Sequence, residues 1–272
     1  MTDAENPAGF DSFTLNKEIA YKGELGRLRE EYCRRYIQKK QEIFKALEKE
    51  HQELVRSRSE TISCGKGCST CCHLFVCATI QEAEAICYHL YGNEALLARF
   101  LENYPRWRAM VKEAGDPFRP AEGEPPPDTT PGHDRMGNLG EYWQRRIPCP
   151  FLADDACSIY PARPIVCAGL IVTSPPEWCH PQHPDHSKKR PFQITNRALL
   201  EDRSFYGTDL QTPVWSFMPM MVHNLLEWGL PGMPEIPEKE QLVNRFMRDA
   251  EVRRIIEEHV RKAKGEPQRK AP

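Results

Sequence analysis

A dense group of cysteines in one short loop constrains this chain more than any other feature of its sequence. Thiols packed so closely repel one another when ionised and are easily oxidised, and a soft metal ion relieves both problems by binding the sulfurs. The intervening glycines allow the tight backbone that several ligands on one ion require. The loop reads Cys64-Gly-Lys-Gly-Cys68-Ser-Thr-Cys71-Cys72-His73. It predicts a metal-binding protein.

The composition and charge of the chain limit the cellular compartments and the classes of binding partner that we expect. The chain has 272 residues, 28 % of them charged, and a mean hydropathy of -0.63. No apolar run approaches the roughly 20 residues that cross a bilayer, and the acidic start differs from a signal peptide. We therefore expect a cytoplasmic protein without a membrane partner, whose eleven cysteines serve metal ligation or redox chemistry rather than disulfides. A net charge of -2 gives no indication of nucleic-acid binding, and the sequence names no protein partner.

The pattern of apolar residues predicts a mostly α-helical fold, with long helices around a small irregular cysteine-rich metal-binding subdomain that contains short strands. We expect these segments along the chain: a disordered N-terminus at 1–14, a long helix at 15–60, a cysteine-cluster domain at 61–180 with a Pro-rich loop at 115–133, a helical region at 181–263 and a disordered tail at 264–272.

Several local signals place individual elements. Thr79 followed by Glu82 has the form of a capping box, so a helix should begin there and end at Gly92. Pro105 should kink or divide the helix that follows, and Asp154-Asp155 predicts a hairpin turn. Further helices are expected at about 25–56, 93–114, 195–202, 215–228 and 238–262, with a short one beginning at Pro164.

A second cysteine region contains Cys149, Cys157 and Cys167. Each region is too small to close a metal site alone, so the economical interpretation is that the two meet in space. Together they offer seven candidate ligands: Cys64, Cys68, Cys71, Cys72, Cys149, Cys157 and Cys167.

The same residues carry a family resemblance. The pattern Cys68-x-x-Cys71-Cys72, with Glu82-Ala83 at the head of a helix and then Cys149-Pro-Phe-Leu, Cys157-Ser-Ile-Tyr, Arg163-Pro and Cys167, resembles the YkgJ-like family, also called the CxxCxxCC putative zinc- or iron-chelating domain. The resemblance covers roughly residues 60–170 and implies binding of zinc, iron or an iron-sulfur cluster. It departs from the family at Ala168, where members usually have a basic residue.

The identity of the metal stays open. Structural zinc and iron-sulfur clusters both take four thiolates, and we favour a cluster because Cys149-Pro150 is similar to ferredoxin-type loops. A flagellin lysine methylase looks like a relative, which implies an iron-sulfur enzyme, either a redox catalyst or a protein N-methyltransferase, as an alternative. A metal chaperone is another. The spacing of Cys64, Cys68 and Cys71 is also that of radical S-adenosylmethionine enzymes, but long helices flank the loop instead of strand-helix units, and the spacing alone is weak evidence.

Other thiols and imidazoles have ordinary explanations. Cys77 and Cys87 have apolar neighbours, so core packing is expected for both, and we expect Tyr160 in the core as well. Cys179, His180 and His183 could form a separate zinc or iron site, although Pro-broken loops of this kind are more often polar surface. We see no residue pattern that predicts a catalytic group.

Overall fold

The computed structural model describes residues 11–58, 61–65, 67–114, 142–189, 191–193, 204–205, 208–209, 215–229 and 239–266. Helices dominate these parts of the chain: α1 (Ser12–Ile19), α2 (Gly23–Ser57), α3 (Ile80–Tyr91), α4 (Glu94–Glu113), α5 (Ile165–Gly169), α6 (Met218–Glu227), α7 (Lys239–Met247) and α8 (Ala250–Ala263). The strands are β1 (Cys77–Thr79), β2 (Leu152–Ala153), β3 (Ala156–Cys157), β4 (Leu170–Val172), β5 (Pro191–Gln193), β6 (Ser204–Phe205), β7 (Thr208–Asp209) and β8 (Trp215–Phe217). The prediction of a mostly α-helical protein is confirmed.

The N-terminal segment differs from the prediction at both of its boundaries. Helix α1 begins at Ser12 because the Asp11 carboxylate accepts hydrogen bonds from the first free backbone N–H groups, so the expected disorder at 1–14 is wrong for residues 12–14. Residues 1–10 lie outside the described residues. The expected single helix at 15–60 is two helices. The backbone turns before α2, where Gly23 has φ +69°, a conformation that favours glycine.

Helix α3 lies at the centre of the core. Its capping box forms as predicted, with Thr79 at the N-cap and Glu82 reaching back to the Thr79 backbone N–H at 3.0 Å, and Gly92 is its C-cap. The buried side of α3 packs against α6. The strand preceding α3 also pairs with the strand preceding α6, because β1 and β8 are antiparallel neighbours. The N-terminal ends of these two central helices are therefore tied to each other.

The middle of the chain follows the prediction closely. Helix α4 runs unbroken through Pro105, so this proline does not divide it. Strands β2 and β3 form the predicted hairpin, and Asp154 and Asp155 occupy its turn with φ of 50° and 56°. Helix α5 follows Pro164, as expected.

The C-terminal third is less helical than the prediction. The residues expected to start one helix at 215 instead form β8, and the helix expected at 238–262 is split into α7 and α8 by Asp249, whose carboxylate caps α8. Short strands β5, β6 and β7 also interrupt the region 181–263. The Pro-rich loop at 115–133, the helix at 195–202 and residues 267–272 lie outside the described residues, whereas residues 264–266 end α8 in a turn.

Within the part of the chain that the structure describes, no helix is both long enough and apolar enough to cross a bilayer.

Candidate metal centre

The two cysteine regions lie against each other. The backbone N–H of Cys149 donates to the carbonyl oxygen of Cys72 at 2.7 Å, although the two residues are far apart in sequence. A second link joins the start of the first region to β4, where the Ser63 N–H donates to the Val172 carbonyl at 2.9 Å. The prediction that the two regions meet in space is confirmed by these bonds.

Local turns present the cysteines of each region. Cys71 and Cys72 lie in a 3₁₀ turn, Thr70–His73. Cys149 precedes the β2–β3 hairpin and Cys157 ends its second strand, where it pairs with Leu152. The tight turn of the hairpin therefore brings the segments that carry Cys149 and Cys157 close together.

Cys167 is positioned by two buried charged side chains. It lies on α5, whose first backbone N–H, at Ile165, donates to a Glu82 carboxylate oxygen at 2.7 Å. Just before α5, the Lys40 ammonium donates to the carbonyls of Ala162 and Arg163 at 2.8 and 2.9 Å. Because Glu82 belongs to α3 and Lys40 to α2, the two long helices together hold the segment that carries Cys167.

Five thiols form an inner group. Their charges act on one another, since the pKa of each responds to at least one other member. Burial raises the pKa of most of them, to about 12 for Cys149 and well above the ordinary value for Cys167. The inner group consists of Cys71, Cys72, Cys149, Cys157 and Cys167.

Cys71 is the exception within the inner group. A hydrogen bond from the neighbouring Cys72 thiol lowers the pKa of Cys71 to about 7, and the Arg163 guanidinium acts in the same direction. The same bond raises the pKa of Cys72. Cys71 is therefore the inner-group thiol that ionises most readily, and the thiolate is the form of cysteine that binds metals and acts as a nucleophile.

Backbone groups favour the charged form of three of the sulfurs. The N–H of Val172 donates to Cys64 at 3.2 Å, and the backbone at Phe151 and at Ile159 acts on Cys149 and Cys157 in the same direction. Each effect lowers the pKa of its thiol against the opposing effect of burial. Hydrogen bonds to sulfur are a feature by which proteins tune thiolate-bound metal clusters, so the backbone is arranged to stabilise sulfur that carries charge.

The remaining candidate ligands form an outer group of Cys64, Cys68 and Cys179. Cys179 ends a 3₁₀ turn, Pro176–Cys179, and its pKa is raised by burial and by the charges of Cys68 and Cys71. Cys64 responds to Cys68, Cys71 and Cys179 in the same way. Cys71 therefore lies between the two groups.

The two candidate histidines are engaged by their own loop. Nδ1 of His180 accepts a hydrogen bond from the N–H two residues later at 3.2 Å, and Nδ1 of His183 does so at 3.1 Å. Because Nδ1 accepts in both rings, the neutral imidazole carries its proton on Nε2, so in this arrangement neither ring presents a free lone pair to a metal ion. Of the cysteines expected in the core, Cys87 is fully buried and Cys77 is half-buried.

Within the described residues, no three Cys, His, Asp or Glu side chains already stand in the geometry of a bound metal ion. The donor set nevertheless suits a soft metal: thiols predominate, and a guanidinium and backbone N–H groups lie beside them. The inner group has as many thiols as a centre with four thiolates needs, and Cys64, Cys68 and Cys179 are further candidate ligands.

Sequence reasoning missed three supporting residues or their contacts. Lys40 lies on the same helical stripe as Tyr32 and Tyr36. A lysine in line with two aromatic residues of a buried stripe was the sequence signal from which its burial could have been predicted. The contact from Glu82 to α5 has no local signature. The expectation of Tyr160 in the core is wrong: its side chain lines the cavity beside the cysteines and is 38 % exposed, and one face of its ring is stacked against the Arg163 guanidinium at 3.8 Å.

Comparisons with known proteins add no relative. Neither protein-family models, curated proteins nor solved structures contain a match to this chain. Its functional interpretation therefore rests on the cysteines, their neighbours and their geometry.

Proposed function

We propose that this is a cytoplasmic metal-binding protein whose two cysteine regions together hold an iron-sulfur cluster, or a zinc or iron ion. The observation that carries the proposal is the contact between the two cysteine regions, in which the Cys149 N–H donates to the Cys72 carbonyl at 2.7 Å and the Val172 N–H donates to the Cys64 sulfur at 3.2 Å. The proposed ligands are the seven cysteines of the two regions: Cys64, Cys68, Cys71, Cys72, Cys149, Cys157 and Cys167.

The buried thiols explain why a metal would bind here. Cys149 and Cys167 are held protonated by burial, which raises the pKa of each, and a bound metal replaces those protons with positive charge. Cys71, which already ionises near pH 7, provides the first thiolate. Metal binding would then convert a cluster of mutually unfavourable thiols into one closed unit, so binding and folding should be coupled.

The family resemblance supports the proposal through the same residues. It is a resemblance in motif to the YkgJ-like family over residues 60–170, which implies zinc, iron or an iron-sulfur cluster, and Cys149-Pro150 makes the cluster our favoured centre. A cluster needs only four thiolates. Seven candidate ligands therefore leave three for a second ion or for roles other than ligation. A second ion would bind at the outer group, where Cys64 and Cys68 are joined by Cys179, which is not one of the seven.

An iron-sulfur enzyme is the second candidate function. It is favoured by a cavity of about 670 Å³ whose lining includes Cys68, Cys71 and Cys167, which would give a substrate access to the centre. A redox catalyst and a protein N-methyltransferase similar to flagellin lysine methylase are the two versions. Saturable binding of S-adenosylmethionine, measured by calorimetry, would support the methyl-transfer version, and its absence would remove it.

A metal chaperone would release its ion easily. Cys68, the exposed member of the ligand set, is where a competing ligand would reach the centre first. A competing chelator should then remove the ion while circular dichroism stays unchanged. If the protein unfolds as the ion leaves, the ion is structural.

Replacement of Cys71 by serine tests the proposal. Cys71→Ser should lower metal content and the free energy of unfolding together, because Cys71 lies between both groups of thiols. Cys77→Ser is the matched control: Cys77 is half-buried, and burial alone accounts for its raised pKa. Metal per chain, measured by mass spectrometry, should fall only in Cys71→Ser. An unchanged metal stoichiometry in that variant would contradict the assignment.

A further inference from the structure

The long helix α2 changes its surroundings halfway along its length. In its first half, one helical stripe is buried in the core, at positions that include Leu25, Tyr32 and Tyr36. The same stripe continues through Phe44, His51 and Val55, because residues three and four apart share a face of a helix. There it lines a cavity of about 670 Å³. The packing surface of the helix therefore runs on into a space where a ligand could lie.

The opposite wall of this cavity belongs to the cysteine regions. Cys71 and Cys167 line it, together with Arg163 and Ile171. A molecule bound against α2 would therefore lie beside the inner group of thiols.

Two buried polar atoms in the lining lack a partner. Within the described residues, neither Nε2 of His51 nor Nε of Arg163 makes a hydrogen bond, and His51 is only 5 % exposed. A buried polar group without a partner costs free energy, so both atoms mark places where a ligand atom would be stabilised. Burial lowers the pKa of His51, so its ring is neutral at pH 7 and one tautomer donates from Nε2.

Charge and shape define the chemistry of the ligand. The described lining carries three permanently cationic side chains, Lys45, Arg56 and Arg163, against one acidic side chain, Glu48. The guanidinium edge of an arginine matches the planar, two-oxygen geometry of a carboxylate. Apolar lining such as Phe44, Val55 and Ile171 suits a hydrocarbon body. The lining is thus complementary to an anion with an apolar part.

We propose that this cavity binds a small organic carboxylate with an apolar tail. The carboxylate lies at Arg163 Nε and His51 Nε2, and the tail lies along Phe44 and Val55 of α2. Binding of this ligand follows from the cavity itself. Only its role as a substrate rests on the proposed function, because a metal centre at Cys71 and Cys167 would have to act on it.

Calorimetry with defined probes tests the binding site. Octanoate is titrated into the full-length protein as purified, with 1-octanol as the uncharged probe of equal chain length and hexanoate as the shorter acid. We expect octanoate to bind at least tenfold more tightly than octanol. Each methylene buried beyond hexanoate should strengthen binding about fourfold. No saturable binding of octanoate, or equal affinity for octanol, would overturn the proposal.

A variant of His51 separates a binding role from a structural one. His51→Leu should weaken octanoate binding about tenfold and leave the free energy of unfolding no lower, since Nε2 has no bond to lose. Arg34→Gln is the control, because Arg34 is exposed on the same helix and is not part of the cavity lining. Unchanged octanoate affinity in His51→Leu would overturn the proposal.

Metal content is measured on the same samples, which keeps the two proposals apart. Metal-loaded protein that does not bind octanoate refutes the cavity proposal and leaves the metal centre standing. Folded protein that contains no metal, takes up neither iron nor zinc when reduced, and binds octanoate refutes the metal centre and leaves the binding site standing.

Discussion

Glu82 should be the single most sensitive link between the helical core and the cysteine regions. Its carboxylate is 1 % exposed and accepts from two backbone N–H groups, that of Thr79 at 3.0 Å and that of Ile165 at 2.7 Å. In Glu82→Gln, the remaining side-chain oxygen can still accept from one of these N–H groups. The amide NH₂ then faces the other N–H and cannot accept from it, so one hydrogen bond is lost. Because a hydrogen bond to a charged group contributes about 1.5–3 kcal/mol, we expect the free energy of unfolding to fall by roughly 3 kcal/mol.

The effect of Glu82→Gln should extend to the metal centre. Loss of the bond to Ile165 frees the first turn of α5, which carries Cys167, so metal content should fall as well. Urea unfolding followed by circular dichroism gives the free energy, and mass spectrometry gives the metal. Glu102→Gln is the control, because Glu102 is exposed and, among the described residues, pairs with Arg106 on the surface of α4, an interaction of about 0.3–0.5 kcal/mol. A loss below about 1 kcal/mol in Glu82→Gln would refute the reasoning.

Two further predictions concern pH. Burial lowers the pKa of Lys40 to about 8 from 10.5, so between these values the unfolded chain holds a proton that the folded chain has released, and stability rises with pH. Compared with Lys40→Met, the free energy of unfolding of the metal-free wild type should rise by on the order of 3 kcal/mol between pH 8 and 10.5, measured by urea unfolding. If the free energies of the two proteins change with pH in parallel, the prediction is contradicted. The pKa of Asp249 lies below 3.8 because the N–H of Glu24 donates to its carboxylate. The stability from Asp249 is therefore present above pH 3.8 and lost as pH falls through the lowered value, and Asp249→Asn should show less loss in acid; an equal loss in both proteins would exclude this role.

Local patterns in the sequence were sufficient for the elements whose signals are local. The capping box of Thr79 and Glu82 set the start of α3, and the Asp154-Asp155 turn set the β2–β3 hairpin. The cysteines of the two regions also predicted the contact between these regions, because closely spaced thiols need a common partner. In each case, the residues that determine the structure are near neighbours or carry unusual chemistry.

Long-range contacts explain where the prediction failed. Trp215–Phe217 is apolar enough for a buried helix, but its pairing with β1 makes it a strand, and that pairing has no local signal. Asp249 splits the last helix because its carboxylate serves both α8 and the first turn of α2. Tyr160 is exposed because it lines the cavity formed between α2 and the cysteine regions, a space that only the assembled chain creates.

The buried charges of the site were the least predictable part. Lys40 and Glu82 are each at most 1 % exposed, and a sequence assigns such residues to the surface by default. Their partners are backbone groups around α5, far away in sequence. Only the assembled fold shows that two charged side chains of the core hold the segment carrying Cys167.

The central claim is a metal centre held by the cysteines of both regions. Metal and acid-labile sulfide analysis, with a visible absorption spectrum, on full-length protein purified without oxygen tests it most directly. Iron with sulfide and a broad absorbance near about 400 nm is the result expected for the favoured cluster, and colourless protein with stoichiometric zinc or iron would place a simple ion at the same thiols. Folded protein that contains neither iron nor zinc, and takes up neither when reduced, would contradict the account.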